Sequence, residues 1–532
     1  MQGVFITTHT FEQRLQSISE KSLSKTLAGR RIGIEKESLR TTANGKLSQL
    51  DHPRALGAAL THPSITTDFS ESLIELVTEP HDCVDAALAQ LNFIHQFVYK
   101  NIGDELLWGG SMPCLVDGDA SIPIAKFGSS NSGMMKTVYR RGLSWRYGRM
   151  LQAIAGVHFN FSLPEEFWRA LQEKEGKGGS LKDYMTENYF AMVRNLQLIS
   201  WLVPYLFGAS PAICKSFLLG EENSTLIMMG EGTRFQPFAT SLRMGDIGYQ
   251  NSQSGKRRID VCFNSLKSYS ESLTRAMQET SPKYADIGVK VDGEYRQLND
   301  KVLQIENEYY ASVRPKAVPS PKEKPLSALW NQGVRYLELR SLDLNVLAPA
   351  GITSSQGRFL EAMMIYSMLE DSPDLSQPEI VDIEGNLLAV AHGGRDTEML
   401  LKRRGKKTAL SDWGNEILQK IKPICELLDV DRNDGAYLSA WQEQQEKMDE
   451  PAATPSARVL DSMIENNESF FDYGLRKSQE HRAWFDKQPI DEQQLAKMEQ
   501  TVADSLAKQL QREADDEVNF DEYLAAYFSD DA

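Results

Sequence analysis

The segment RIGIEKESLR, from Arg31 to Arg40, restricts the fold more than any other stretch of the chain. It reads as a strand, and alternate side chains of a strand share a face. Glu35 and Glu37 then point the same way, about 7 Å apart at a rise of about 3.3 Å per residue. Gly33 precedes them on that face and leaves room for a ligand. Two carboxylates so placed repel each other unless a cation sits between them. The strand is either an exposed acidic surface or one wall of a metal site. Turn chemistry at Asn44 and Gly45 closes it.

Four further segments carry the same kind of signal. In AGVHFNFS, Val157, Phe159 and Phe161 alternate with His158, Asn160 and Ser162, one face core and the other polar. His158 is there a ligand or a satisfied structural histidine. In VRYLELRSLD, Tyr336, Glu338 and Arg340 share a face, and Leu337 and Leu339 share the other. A carboxylate beside an arginine suits a metal–phosphate site, the first for the cation and the second for phosphoryl oxygens; an internal ion pair is the plain alternative. In TTDFSESLIEL, Asp68, Glu71 and Glu75 stand among apolar neighbours, and an extended backbone puts Glu71 and Glu75 on one face with Leu73. A carboxylate inside LIELV is costly to bury unless paired or metal-bound. LQIENEYY, from Leu303 to Tyr310, reads as one more strand with Glu306 and Glu308 paired.

The rest of the chain frames these segments. Its 532 residues are 41% hydrophobic and 25% charged, a globular composition. With 58 basic and 74 acidic residues the net charge is −16, which argues against a nucleic-acid or anionic-membrane surface. The five cysteines, Cys83, Cys114, Cys214, Cys262 and Cys425, form no CxxC pair, so reduced thiols in a reducing compartment are expected. The start MQGVFITTHTFEQRL has no basic stretch followed by a long apolar run, and no signal peptide is expected. The longest apolar stretch, Leu198 to Cys214, contains Pro204 and Pro211 and suits buried helix and loop better than a membrane span. These features together predict a cytoplasmic protein.

Helices are predicted in the lead-in (1–30), at 84–102 and at 183–206. Loops are predicted at 173–180, at the basic turn NSQSGKRR (251–258) and at the four-proline run 314–325, which cannot be the interior of an element. Beyond about residue 400 the chain is charged and helical in period, at 411–430, 433–449 and 490–527. This predicts a catalytic core over 1–400 and a helical region, 401–532, packed on it and not an independent domain.

No phosphate-binding GxxxxGK[ST] loop, protein-kinase motif set, HExxH or GxGxxG after a strand is present. Several strands lined by glutamates, with one arginine, suit metal-assisted phosphoryl transfer, in which a six-coordinate cation takes oxygen ligands from protein and phosphates. The residues by themselves predict a metal- and nucleotide-dependent enzyme.

The same segments resemble the proteobacterial-type glutamate–cysteine ligases (γ-glutamylcysteine synthetases). The resemblance is carried in order by GIEKESLR (33–40), ALTHPSITTDFSESLIELVT (59–78), GSSNSGMMKTVYRRGL (128–143), RYGRMLQAIAGVHFNFSLP (146–164), ATSLRMGDIGY (239–249), LQIENEYYASVRPK (303–316) and YLELRSLDLN (336–345). It covers most of residues 30–350 and is loose beyond 400. It implies an α+β fold with a curved, mostly antiparallel sheet similar to the glutamine synthetase and guanidino-kinase core. It implies ATP-dependent ligation of L-glutamate to L-cysteine, the first step of glutathione synthesis, with several Mg²⁺ or Mn²⁺ ions. The family's metal ligands fall on Glu35, Glu37, Asp68, Glu75, His158 and Glu338. Its catalytic residues fall on Glu338 and Arg340, with Arg340 and Ile154 at the nucleotide. Its substrate pocket falls on Phe69, Tyr139, Leu143, Gln152, Arg243, Tyr249 and Tyr310. The implied partners are small molecules alone, L-glutamate, L-cysteine and ATP, with no nucleic acid or membrane, and the chain is expected to be a monomer.

Two other readings compete: a related glutamate–amine ligase or a kinase on the same core, and a binding protein with a relict site. The Tyr139, Arg243 and Tyr249 pocket discriminates the first, and intact Glu35, Glu37, Glu338 and Arg340 oppose the second. Glutamine at position 35 or 338 is expected to relieve carboxylate repulsion and leave metal-free stability equal or higher.

Overall fold

The computed structural model describes residues 10–113, 115–218, 225–248, 259–320, 323–430 and 432–529. At its centre is one antiparallel sheet. Its strands are β1 (Arg31–Thr41), β2 (Ile65–Thr67), β3 (Leu73–Val77), β4 (Leu106–Leu107), β5 (Val157–Ser162), β6 (Val313–Lys316) and β7 (Tyr336–Leu342). The order is β6-β7-β5-β1-β3-β2, with β4 paired to the end of β1. With eighteen helices around it among the described residues, the chain is α+β, as the resemblance implies.

β1 is buried almost throughout because both of its faces are covered. On the back face, Ile32, Ile34, Phe159, Phe161 and Leu337 are fully buried. The helices Val84–Asn101 and Ser354–Leu369 pack against that side. Ser354–Leu369 is buried along most of its length, which marks a helix at the centre of the fold. Lys36 lies on the back face with Nζ 2.7 Å from Nε2 of His95, and burial pushes its ammonium down to about 7.

The charged C-terminal region is helical, at Leu410–Val430, Ala436–Asp449, Phe470–Asp486, Glu492–Ala514 and Phe520–Ser529. It braces the core through particular contacts. Phe485 stacks on His95 with ring centroids 4.8 Å apart, and Trp108 meets Phe470 and Phe471. Ser505 Oγ accepts from Ala58 N at 3.0 Å, and Asp516 accepts from Asn131 N at 2.6 Å. Among the described residues no helix is long and apolar enough to cross a membrane.

Three local expectations are overturned. Residues 303–310 do not form a strand. Glu306–Glu308 is a turn of 3-10 helix, and Glu308 accepts from Gln304 N at 2.7 Å while pairing with Arg146 at 3.0 Å. A side chain that bonds the backbone nearby competes with strand pairing. The segment 66–76 is not one extended run either. Ser70 Oγ accepts from Leu73 N at 3.0 Å and turns the chain, so Glu71 leaves the face of Glu75 and accepts from His52 N and Lys126 N, each at 2.5 Å. Pro315 does sit inside a strand. β6 is the outer strand of the sheet, where a proline costs no ladder bond on the open side. The basic turn 251–258 lies outside the described residues.

Candidate active site

The front face of the sheet gathers the predicted carboxylates by register. Glu35 stands opposite His158, Glu37 opposite Glu75, and Glu338 opposite Asn160. His158 Nδ1 is 3.0 Å from Glu35 Oε2 and 3.8 Å from Glu338 Oε1, and its Nε2 is 3.7 Å from Glu37 Oε1. One ligand atom each from Glu35, Glu75 and His158 lies within 4.8 Å of the others. Asp68 lines the same cavity as Glu37 and His158, its Oδ1 3.8 Å from Arg140 Nη2.

Asn160 was not singled out as a site residue, although the alternation of β5 already puts it on the face of His158. Its Nδ2 donates to Glu35 Oε1 at 2.8 Å. It also takes the space beside Gly33, where an added Cβ would meet Asn160 Cβ at 3.5 Å. The room expected at Gly33 therefore belongs to Asn160, not to a ligand.

Electrostatics divides the carboxylates into two kinds. Burial pushes the Glu75 carboxyl well up, and Glu35, Asp68 and Glu37 repel it further. Burial also pushes Glu37 up against the pull of His158. Burial acts the same way on Glu338, but Arg340 and Lys316 outweigh it and hold the carboxyl well below the usual range. At Glu35, burial and Glu338 push up, yet the hydrogen bond and charge of His158 prevail. Glu338 Oε2 is buried and accepts no hydrogen bond, with Lys316 Nζ 3.5 Å away. Hard oxygen donors, mutual repulsion and an orphaned carboxylate oxygen fit a divalent cation such as Mg²⁺ or Mn²⁺.

The arginines stand beside this cluster. Arg340 Nη1 donates to Glu338 Oε1 at 3.0 Å, and its Nε is buried without a hydrogen-bond partner. β7 changes register against β5 between Leu339 and Leu342, so a bulge falls at Arg340, and bulges re-aim side chains next to sites. Arg243 Nη2 donates to Arg340 O at 2.9 Å, and its Nη1 is 3.8 Å from Asp343. This approach requires Gly156, where a Cβ would lie 2.2 Å from Arg243 Nη2.

One cavity of about 590 Å³ opens onto this face. Phe69, Tyr139, Leu143, Gln152, Ile154, Arg243 and Tyr310 line it together with Glu37, Asp68, His158 and Arg340. Gln152 Nε2 is buried there without a hydrogen-bond partner. Tyr249 lies outside the described residues. Arg140 and Arg314, absent from the sequence-based set, also line the cavity. Glu308, a predicted acidic-strand residue, also borders the cavity, with its carboxylate committed to Arg146 and to Tyr147 Oη at 2.8 Å. Divalent cations held by these carboxylates, beside two arginines, would neutralise a polyphosphate and allow a carboxylate to approach it.

Comparison with known proteins is decisive about kinship. A family model described as glutamate-cysteine ligase matches residues 15–390. The chain belongs to the glutamate–cysteine ligase family. The glutamate–cysteine ligase of Alcanivorax borkumensis is 45% identical over 524 residues, 98% of this chain and 99% of that one. That of Pseudomonas putida is 45% identical over 496 residues, 93% of this chain and 94% of the relative. Among solved structures, the glutamate–cysteine ligase of Francisella tularensis in complex with AMP superposes with a TM-score of 0.87 at 34% identity, covering 94% of this chain and 98% of that one. A bifunctional glutathione synthetase from Pasteurella multocida matches with a TM-score of 0.69 at 25% identity, over 88% of this chain and 55% of that one. This glutamate–cysteine ligase fold carries its candidate site on the sheet, and the last C-terminal helix packs with Tyr139, one of the cavity residues.

Proposed function

We propose that the chain joins the γ-carboxylate of L-glutamate to the amine of L-cysteine at this cavity, with ATP giving ADP and phosphate. The reaction makes γ-glutamylcysteine, the first step of glutathione synthesis. The observation that carries the site assignment is one cavity lined by Glu37, His158, Arg340 and Arg243, with Glu35, Glu75 and Glu338 grouped around His158 behind it.

A carboxylate is a poor acyl donor. The glutamate γ-carboxylate oxygen attacks the terminal phosphorus of ATP, and the bond to ADP breaks, leaving a γ-glutamyl phosphate. The cysteine nitrogen then attacks the acyl carbon, phosphate leaves with the bonding pair, and the nitrogen loses its proton. Mg²⁺ or Mn²⁺ held by Glu35, Glu37, Asp68, Glu75, His158 and Glu338 supplies charge neutralisation for the triphosphate. Asn160 fixes Glu35, and His158 donates to Glu35 from Nδ1 so that Nε2 can serve as a ligand. Arg340, with its unpartnered Nε, takes the transferring phosphoryl oxygens. Phe69, Tyr139, Leu143, Gln152, Arg243, Tyr249 and Tyr310 take the amino-acid acceptor, and Ile154 borders the nucleotide. Residues 1–400 form the catalytic core with 401–532 as its helical brace, in a cytoplasmic monomer.

ADP release is expected to need glutamate, an amine acceptor and Mg²⁺ or Mn²⁺ together, with cysteine the best acceptor and the product identified by mass. Equal turnover with ammonia would sink the cysteine assignment.

The chemistry uses no protein thiol. Among the described residues no cysteine lines the cavity. Burial pushes the Cys214 and Cys425 thiols up, away from nucleophilic form. A variant with all five cysteines replaced by serine or alanine is expected to keep more than about a tenth of parental kcat in its folded fraction, because the acyl phosphate provides the activation. A well-folded but dead variant contradicts this.

A further inference from the structure

The wall of the cavity that faces the sheet is held from its outer side by the end of the chain. The helix Asn131–Tyr147 carries Tyr139, Arg140 and Leu143, which line the cavity. Its first turn is gripped by a segment 385 residues further on. Glu513 Oε1 accepts from Ser129 N at 2.9 Å, Asp516 Oδ2 accepts from Asn131 N at 2.6 Å, and Val518 O accepts from Asn131 Nδ2 at 2.9 Å. Two carboxylates at the start of a helix also complement the positive end of its dipole.

A second grip follows along the same helix. Met135 and Val138 form a small apolar cluster with Leu298, Phe520 and Leu524. Tyr139 packs against this cluster and against the main core, so it joins the two. The helix Phe520–Ser529 is itself pinned. The Phe520 ring meets Tyr295 edge-on with centroids 5.2 Å apart, and Asp521 accepts from Tyr295 Oη and from Lys290 Nζ, each at 2.7 Å. A helix moves as a stiff unit, and a packed interior transmits the shift. Displacing the outer face of Asn131–Tyr147 therefore moves Tyr139 and Leu143 at the cavity.

We propose that Asp516 and Phe520 are positioning residues for the amino-acid acceptor: the C-terminal segment seats the helix Asn131–Tyr147 so that Tyr139 and Leu143 close on cysteine. This rests on the ligase reading above, which puts Tyr139 and Leu143 at the acceptor, and it gives the charged C-terminal region a part in acceptor recognition. Glu35, Glu75 and Glu338 stand on β1, β3 and β7, so strand register and not this helix sets their geometry.

The test is steady-state kinetics of the full-length parent, Asp516→Ala, Asp516→Asn, Phe520→Ala and Phe520→Leu, with each substrate varied in turn. Misplacing a binding group by about 1 Å costs up to about 10²-fold. Asp516→Ala and Phe520→Ala are expected to raise the KM for cysteine about tenfold, with the KM for ATP and for glutamate within about twofold of the parent and kcat within about threefold. Asp516→Asn keeps an acceptor oxygen and Phe520→Leu keeps most of the apolar volume, and both are expected to recover most of the loss. Mn²⁺ binding without nucleotide, followed by electron paramagnetic resonance, is expected to be unchanged. Should Phe520→Ala fail to fold, Asp516→Ala carries the test, since Asp516 is an exposed residue. Folded alanine variants with a parental KM for cysteine overturn the proposal. A KM that rises equally for all three substrates, or a fall in kcat alone, overturns it too and leaves the segment a general brace. A parent that does not turn over cysteine instead overturns the ligase reading on which the proposal stands.

Discussion

Arg340→Lys is expected to lower kcat by about 10²–10³-fold while leaving Mn²⁺ and MgADP affinity within a few-fold of the parent. Three features of the site lead there. Arg340 pairs with Glu338 through Nη1 at 3.0 Å, and a lysine ammonium can keep that pairing, so the fold and the cation cluster survive. The Nε of Arg340 is buried and without a partner, so one arm of the fork remains for an oxygen that appears during reaction. A point ammonium cannot reproduce the planar fork around phosphoryl oxygens. The effect belongs in kcat, since the oxygens of a transferring phosphoryl group occupy that place only in the transition state. Single-turnover phosphoryl transfer measured beside MgADP titration separates the two. An unfolded Arg340→Lys would return Arg340 to the role of a structural partner of Glu338, and parental turnover would remove it from the chemistry.

Glu75→Gln and Glu338→Gln are expected to remove Mn²⁺ binding alike and to change metal-free stability in opposite directions. Glu75 is pushed up by burial and by three neighbouring carboxylates, so the empty site is strained by its charge. Glutamine keeps the shape and deletes the charge, so metal-free stability near neutral pH is expected to rise. A carboxyl whose value rises on folding from the ordinary 4.5 contributes stability that is complete below that value and is lost as pH climbs through the folded-state value. Metal-free stability of the parent therefore falls as pH rises above about 4.5 on account of Glu75 and Glu37, and Glu75→Gln flattens that slope. Glu338 is the reverse case, held down by Arg340 and Lys316, so its contribution is present above 4.5 and lost as pH falls. Removing its charge leaves Arg340, Lys316 and Arg314 facing one another. The expected cost is about 1–3 kcal/mol, below the range for a fully buried pair because the Lys316 side chain is 34% exposed. Thermal unfolding in chelator across pH reads both. Equal shifts of one sign would show that the carboxylates act as a uniform repulsive set.

Repulsion relieved by removing charge is what the residues alone predict for Glu35 and Glu338, and Glu338 departs from it because Arg340 on its own strand is joined by neighbours from elsewhere in the chain. Lys316 lies on β6 and His158 on β5, and no spacing within YLELRSLDLN reveals either. Glu35 is likewise held down by His158, so Glu35→Gln gives up a hydrogen bond along with the repulsion.

Much of the site was legible because a strand has a period of two. Glu35 with Glu37, His158 with Asn160, and Glu338 with Arg340 each share a face by local geometry alone, and the family resemblance aligned those faces on one site. The same local reasoning fails wherever a side chain answers to a distant partner. Glu308 looks like a metal-facing residue of a strand until Arg146, 162 residues away, claims it in the core. Glu71 looks like the companion of Glu75 until Ser70 turns the chain and the amides of His52 and Lys126 take its carboxylate. Pro315 forbids a strand interior except at an edge, and only the sheet order makes β6 an edge. The sequence by itself determined which faces are charged, because alternation is a property of one strand. The tertiary structure decided which charges repel and which are paired, because pairing depends on register, on the bulge at Arg340 and on strands brought side by side from more than a hundred residues apart.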